Sequence, residues 1–140
     1  MIEKIDHIGI AVNNLDEALE IYERLFGLKP IKVETHEDIH VRMAFIRVGE
    51  VLIELLEPTE QGAGRIGEFL KKNGEGVHHI AFRVRGINRA IETLNALEVP
   101  LRDTVPRDGG DNSRIAFIDP TATKNVLTEL VERDREIRGE

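Results

Sequence analysis

An α+β protein built from two tandem βαβββ modules is what this sequence predicts, and four matches between its halves predict it. The chain lies on itself when shifted by 72 residues: His7-Ile8-Gly9-Ile10-Ala11-Val12 falls on His79-Ile80-Ala81-Phe82-Arg83-Val84. The helical stripe repeats at the same shift, with Leu15, Ala18, Leu19, Tyr22 and Leu25 falling on Ile87, Ala90, Ile91, Leu94 and Leu97. So does the segment Arg42-Met43-Ala44-Phe45-Ile46, which falls on Arg114-Ile115-Ala116-Phe117-Ile118. At a shift of 75, Leu52-Ile53-Glu54-Leu55-Leu56 falls on Leu127-Thr128-Glu129-Leu130-Val131, and the three extra residues fit a turn around Asp119-Pro120-Thr121. Self-similarity at a fixed spacing marks a repeated supersecondary unit.

The elements follow in chain order. Residues 5–12 are apolar and rich in β-branched side chains, which predicts a strand. From Leu15 to Phe26 the apolar residues recur at helical spacing. Asn14 is placed to cap that helix, with Glu17 three residues on, and Gly27 to end it. Residues 31–35, 41–48 and 51–56 predict the remaining strands of the first module, with Gly49-Glu50 as a tight connection. Ile66, Phe69 and Leu70 predict a short linking helix closed by Asn73-Gly74. The second module repeats the pattern over residues 77–131, its helix at 88–97 stopping before Pro100. The resulting division is a first module at 5–58, a linking helix and loop at 59–76, a second module at 77–131, and a charged tail at 132–140 expected to be frayed or solvated.

Composition bounds the function. The 140 residues suit one domain made of two small units. Lys and Arg number 19 against 26 Asp and Glu, a formal charge of −7, so nothing global draws the chain to nucleic acid or an anionic membrane. There is no cysteine, which excludes disulfides, thiolate metal sites and a cysteine nucleophile. Aromatics are 4% and Trp is absent, against base stacking. The charged start, Met1-Ile2-Glu3-Lys4-Ile5-Asp6, and the lack of an apolar run near ~18 residues lead us to expect a cytoplasmic protein.

The repeat duplicates chemistry as well as core. Each copy carries a His early in its first strand and a Glu late in its last: His7 and Glu54, then His79 and Glu129. Glu54 alternates with Leu52 and Leu56, and Glu129 with Leu127 and Val131, so each carboxylate falls on an apolar face. A carboxylate there is costly unless paired or bound to a metal. His7 shares its face with Gly9 and Ala11, and His79 with Ala81, small neighbours that leave room for a ligand. A single strand His or Glu is ordinarily a satisfied surface residue; four related by an internal repeat converge when like modules pair. Two imidazoles and two carboxylates suit one divalent ion of Mn, Fe, Co, Ni or Zn. Such an ion has positions left for a bidentate substrate whose enolate it stabilises, with a neighbouring carboxylate as base.

Four segments carry a resemblance: Asp6-His7-Ile8-Gly9-Ile10-Ala11-Val12, Ile53-Glu54-Leu55-Leu56-Glu57-Pro58, Asn73-Gly74-Glu75-Gly76-Val77-His78-His79-Ile80-Ala81-Phe82 and Val126-Leu127-Thr128-Glu129-Leu130. They resemble the vicinal oxygen chelate superfamily (glyoxalase, bleomycin resistance, dioxygenase), and within it the methylmalonyl-CoA epimerases. The resemblance implies a curved, cleft-enclosing mixed sheet with helices outside, and a homodimer. It implies metal ligands at His7, Glu54, His79 and Glu129, and an acyl-CoA thioester substrate epimerised at C2. Glu129 would then be one acid/base, and Glu54 or a residue of the loop Glu37-Asp38-Ile39-His40 the other. The chain differs from the epimerase pattern at Met43, where some bacterial epimerases carry Glu and others also lack it, near His40, where Gly is usual, and at Asp119-Pro120-Thr121, where His-Pro-Lys is frequent. Two alternatives stay open on the same scaffold: a lactoylglutathione lyase-like isomerase and a metal-free binding module. An extradiol dioxygenase, with three ligands, fits the four-residue set less well. Gly109-Gly110 with Asp108 and Asp111 lacks the Lys-Ser/Thr of a phosphate loop and predicts a plain turn. Arg83, Arg85, Arg89 and Arg114 are either CoA-phosphate contacts or solvated surface arginines.

Overall fold

The computed structural model describes residues 1–137. Strands β1 (Ile2–Ala11), β2 (Lys32–His36), β3 (Val41–Val48) and β4 (Val51–Pro58), with helix α1 (Leu15–Phe26), make the first βαβββ run. Helix α2 (Gly64–Asn73) follows. Strands β5 (Gly76–Val84), β6 (Arg107–Asp108), β7 (Arg114–Ile118) and β8 (Thr128–Glu132), with α3 (Ile87–Ala96), make the second. The chain forms two compact units, Ile8–His78 with Ile137, and Met1–His7 with His79–Glu136; β1 contributes to both. Among the described residues no helix is long and apolar enough to cross a membrane.

In the Ile8–His78 unit the strands hydrogen-bond in the order β2-β3-β4-β1. β3 pairs antiparallel with β4 from Val41 opposite Pro58 to Val48 opposite Val51. Helix α1 starts where Asn14 accepts from the Glu17 amide and ends at Gly27, whose φ of 68° suits a residue without a Cβ. Its Leu15 and Ala18 cover Val12, Ala44, Ile46 and Leu55 on one sheet face. On the other face Ala11, Met43, Phe45, Leu52 and Leu56 pack with Ile66, Phe69 and Leu70 of α2.

In the other unit the order is β1-β5-β8-β7-β6, with β5 and β8 parallel and β7 and β8 antiparallel. Ile87, Ala90 and Ile91 of α3 cover Val84, Ala116, Ile118 and Leu130. Ala81, Ile115, Phe117 and Val131 form the opposite face. The second module copies the first less fully than expected at its second strand. β6 has two residues, because Pro106 lacks an amide to donate and only Leu101 adds an isolated bridge to Ile118.

The tail also departs from expectation. Glu132 ends β8, Ile137 is buried among Ala11, Val41 and Phe45, and the Arg133 side chain is 2% exposed. A buried carboxylate and an apolar pocket, both far away in sequence, hold what its charge-rich composition suggested was solvated. Residues 138–140 of that tail lie outside the described residues.

Candidate metal centre

Register builds the site. Glu129 lies opposite Ala81 on β5 and opposite Phe117 on β7, so it shares their face, as does His79 two residues before Ala81. His7 comes from β1, the neighbour of β5. The three side chains meet: His7 Nε2 lies 3.0 Å from His79 Nε2 and 3.1 Å from Glu129 Oε1. All three are buried. The imidazoles stand edge to face, 5.1 Å between centroids, and Phe117 backs His79 at 5.6 Å. Arg107 in turn sits over the Phe117 ring.

Glu54 is buried in its own unit, opposite Phe45 and on the face of Leu52 and Leu56. Its register repeats that of Glu129 opposite Phe117. The two glutamates thus hold equivalent places in equivalent sheets.

Asp6 sets the state of His7. Its Oδ2 is 2.6 Å from His7 Nδ1, Arg83 Nε is 2.6 Å from Oδ1, and Arg133 Nη2 is 3.0 Å from Oδ2. Burial opposes a charge on Asp6, yet the hydrogen bonds from His7 and Arg133 prevail and hold its carboxyl far below the usual carboxylate range. An ionised carboxylate can only accept, so His7 donates from Nδ1, which turns Nε2 toward His79 and Glu129.

The donors suit a divalent ion. His7 Nε2 and the Glu129 carboxylate oxygen at 3.1 Å need a cation or a proton between them. Ligands at right angles around a six-coordinate ion with bonds of ~2.1 Å stand about 3.0 Å apart; the pairs at 3.0 and 3.1 Å match. Nitrogen and oxygen without sulfur favour a borderline ion, and a carboxylate behind a ligating imidazole is its usual support.

Met43 is buried in apolar surroundings opposite Glu34 and Leu56, and carries no titratable group. Asp119 caps the turn at 120–123 by accepting from the Thr121 amide and hydroxyl, and those bonds lower its pKa. Gly109-Gly110 forms a turn into β7, Gly109 donating to the Ser113 carbonyl. Arg83 is neither a solvated arginine nor a phosphate contact: it is buried between Asp6 and Glu136. Arg85 pairs with Glu3 at the surface. Sequence reasoning missed Asp6 and Arg133; the available signal was a carboxylate at Asp6 directly before His7.

A model of the Glyoxalase/Bleomycin resistance protein/Dioxygenase superfamily matches residues 6–117. An uncharacterized protein of Bacillus subtilis is 40% identical over 92% of this chain and 91% of its own length. The mitochondrial methylmalonyl-CoA epimerase of Dictyostelium discoideum is 34% identical, over 94% of this chain and 80% of its own. A structure of Streptomyces coelicolor methylmalonyl-CoA epimerase with 2-nitronate-propionyl-CoA superposes with a TM-score of 0.91 at 36% identity, covering 96% of this chain and all of that one.

Proposed function

The chain belongs to the Glyoxalase/Bleomycin resistance protein/Dioxygenase superfamily, and from that premise we propose that it is an isomerase interconverting the 2R and 2S forms of methylmalonyl-CoA. The observation that carries this reading is the buried convergence of His7, His79 and Glu129. Relatives and a solved structure named as methylmalonyl-CoA epimerases supply the substrate class, an acyl-CoA thioester.

In this reading His7, His79, Glu54 and Glu129 are the residues that would hold one divalent ion. The ion, when bound, supplies the positive charge that stabilises the enolate oxygen formed as C2 loses its proton. Glu129 takes the C2 proton. Its burial with His79 and Phe117 keeps bulk water from competing for that proton. Glu54, the repeat counterpart of Glu129, is the acid we assign to return a proton to the other side of C2. Glu54 carries this role because position 43, where some relatives have a glutamate, is a buried methionine. Inversion needs two proton-transfer groups of matched affinity, and a pair of like carboxylates meets that need.

The test is proton NMR of methylmalonyl-CoA in D2O with protein stripped of metal and reloaded with Co(II) or Mn(II). The C2–H signal should vanish only with metal. Glu129→Gln should slow the exchange by at least the ~10²-fold that a positioned base contributes. Absence of exchange with any metal would sink the assignment and turn attention to the lyase-like and metal-free binding alternatives.

A further inference from the structure

Asp6 is held more heavily than a strand carboxylate needs to be. Two buried arginines close on it from separate places: Arg83 from β5, through Nε at 2.6 Å, and Arg133 from beyond β8, through Nε at 3.0 Å and Nη2 at 3.0 Å. Each arginine is fixed in turn. Arg83 forks onto Glu136 at 3.0 and 3.3 Å, and Glu136 meets Lys4 at 3.5 Å. Arg133 Nη1 donates to the Gly110 carbonyl at 3.1 Å. An anion between two guanidinium groups is a poor proton acceptor and a rigid hydrogen-bond acceptor. It can orient an imidazole N–H without drawing the proton away. Buried charges on this scale are not a cheap way to gain stability, since an apolar trio of similar volume commonly does as well. They are suited to holding one ring in one orientation.

We propose that Arg83, Asp6 and Arg133 form a positioning clamp that holds the His7 ring through its Nδ1–H with Nε2 aimed at His79 and Glu129, and thereby sets the metal affinity of the site. The inference rests on the metal-site reading above. Asp6 acts through His7, whose Nδ1 lies 2.6 Å from its Oδ2. The clamp also makes the segment after β8 part of the site's support, since Arg133 and Glu136 both belong to it.

Two measurements test the clamp. The first uses unmodified, metal-stripped protein: imidazole ¹⁵N NMR reads which nitrogen of His7 carries the proton. The expected result is a proton on Nδ1; a ring that carries its proton on Nε2 alone overturns the clamp without any variant. The second is Co(II) binding by calorimetry and by the visible absorption of the bound ion. Asp6→Asn and Arg133→Lys should each weaken Co(II) binding by about 10- to 100-fold. Arg133→Lys, which keeps the charge but loses the fork, guards against a fold failure in Asp6→Asn. Wild-type protein that takes up no Co(II) overturns the metal-site reading and the clamp's role with it. Wild-type binding with unchanged affinity in a folded Arg133→Lys and Asp6→Asn pair overturns the clamp alone.

Discussion

A carboxylate that is buried, ionised and hydrogen-bonded by two arginines ties folding to pH. Asp6 and Glu136 both titrate below their ordinary 3.8 and 4.5, Asp6 because the His7 and Arg133 bonds outweigh burial and Glu136 chiefly through its hydrogen bond from Arg83. A lowered folded value means that the unfolded chain binds more protons near and below pH ~4. The stability these groups contribute is present in full above that range and drains as the pH falls through it. Urea midpoints of metal-stripped protein should therefore drop between pH 6 and pH 3.5. Asp6→Asn should start lower at pH 6 and lose less over the same interval. Equal pH slopes in the two proteins would show that Asp6 does not carry this linkage. Glu136 is half exposed, so its share is small and shrinks further in salt.

At the scale of elements, legibility in the sequence tracked how local the determining chemistry is. Helix α1 was readable from Leu15 to Phe26 because its start and stop are side chains within one turn, Asn14 and Gly27. β3 was readable from Val41 to Val48 because both its faces are apolar and Gly49 follows. β6 was over-read, since the first module's pattern suggested a full strand where Pro106 prevents one. The linking helix was legible, but not the reason for its glycine. Gly67 lies inside α2, where alanine is intrinsically better by ~1 kcal/mol. A Cβ there would meet the Gly62 carbonyl carbon at 2.4 Å and its Cα at 2.9 Å, backbone that has no rotamer to yield. The contact outweighs the propensity, so Gly67→Ala should destabilise by about 1–3 kcal/mol. Thermal melting checks the sign: a raised Tm would mean that the 60–62 turn shifts freely away from the helix.

At the scale of the whole molecule, the four repeated residues His7, Glu54, His79 and Glu129 stood out because duplication removes coincidence, whereas Asp6, Arg133 and Ile137 stood alone. Arg133 meets Asp6 across 127 positions of sequence, and no local period records such a pair. Ile137 is one apolar residue among charges, so composition assigned it to solvent, yet it is 3% exposed beside Ala11, Phe45 and Leu52. Its carbonyl accepts from Arg47 at 2.8 Å, which fixes the backbone that presents it. A fully buried isoleucine cut back to alanine loses its transfer free energy and leaves a void, a cost of about 2–5 kcal/mol. The neighbouring exposed charges offer no such loss: Arg135 is half exposed and its approach to Asp111 is 3.6 Å, so Arg135→Ala should stay within about 0.5 kcal/mol. The pair of variants separates a docked segment from a solvated one. Urea denaturation should show Ile137→Ala well below wild type and Arg135→Ala beside it. If Ile137→Ala instead matches wild type, Ile137 does not dock against Ala11, Phe45 and Leu52 in solution.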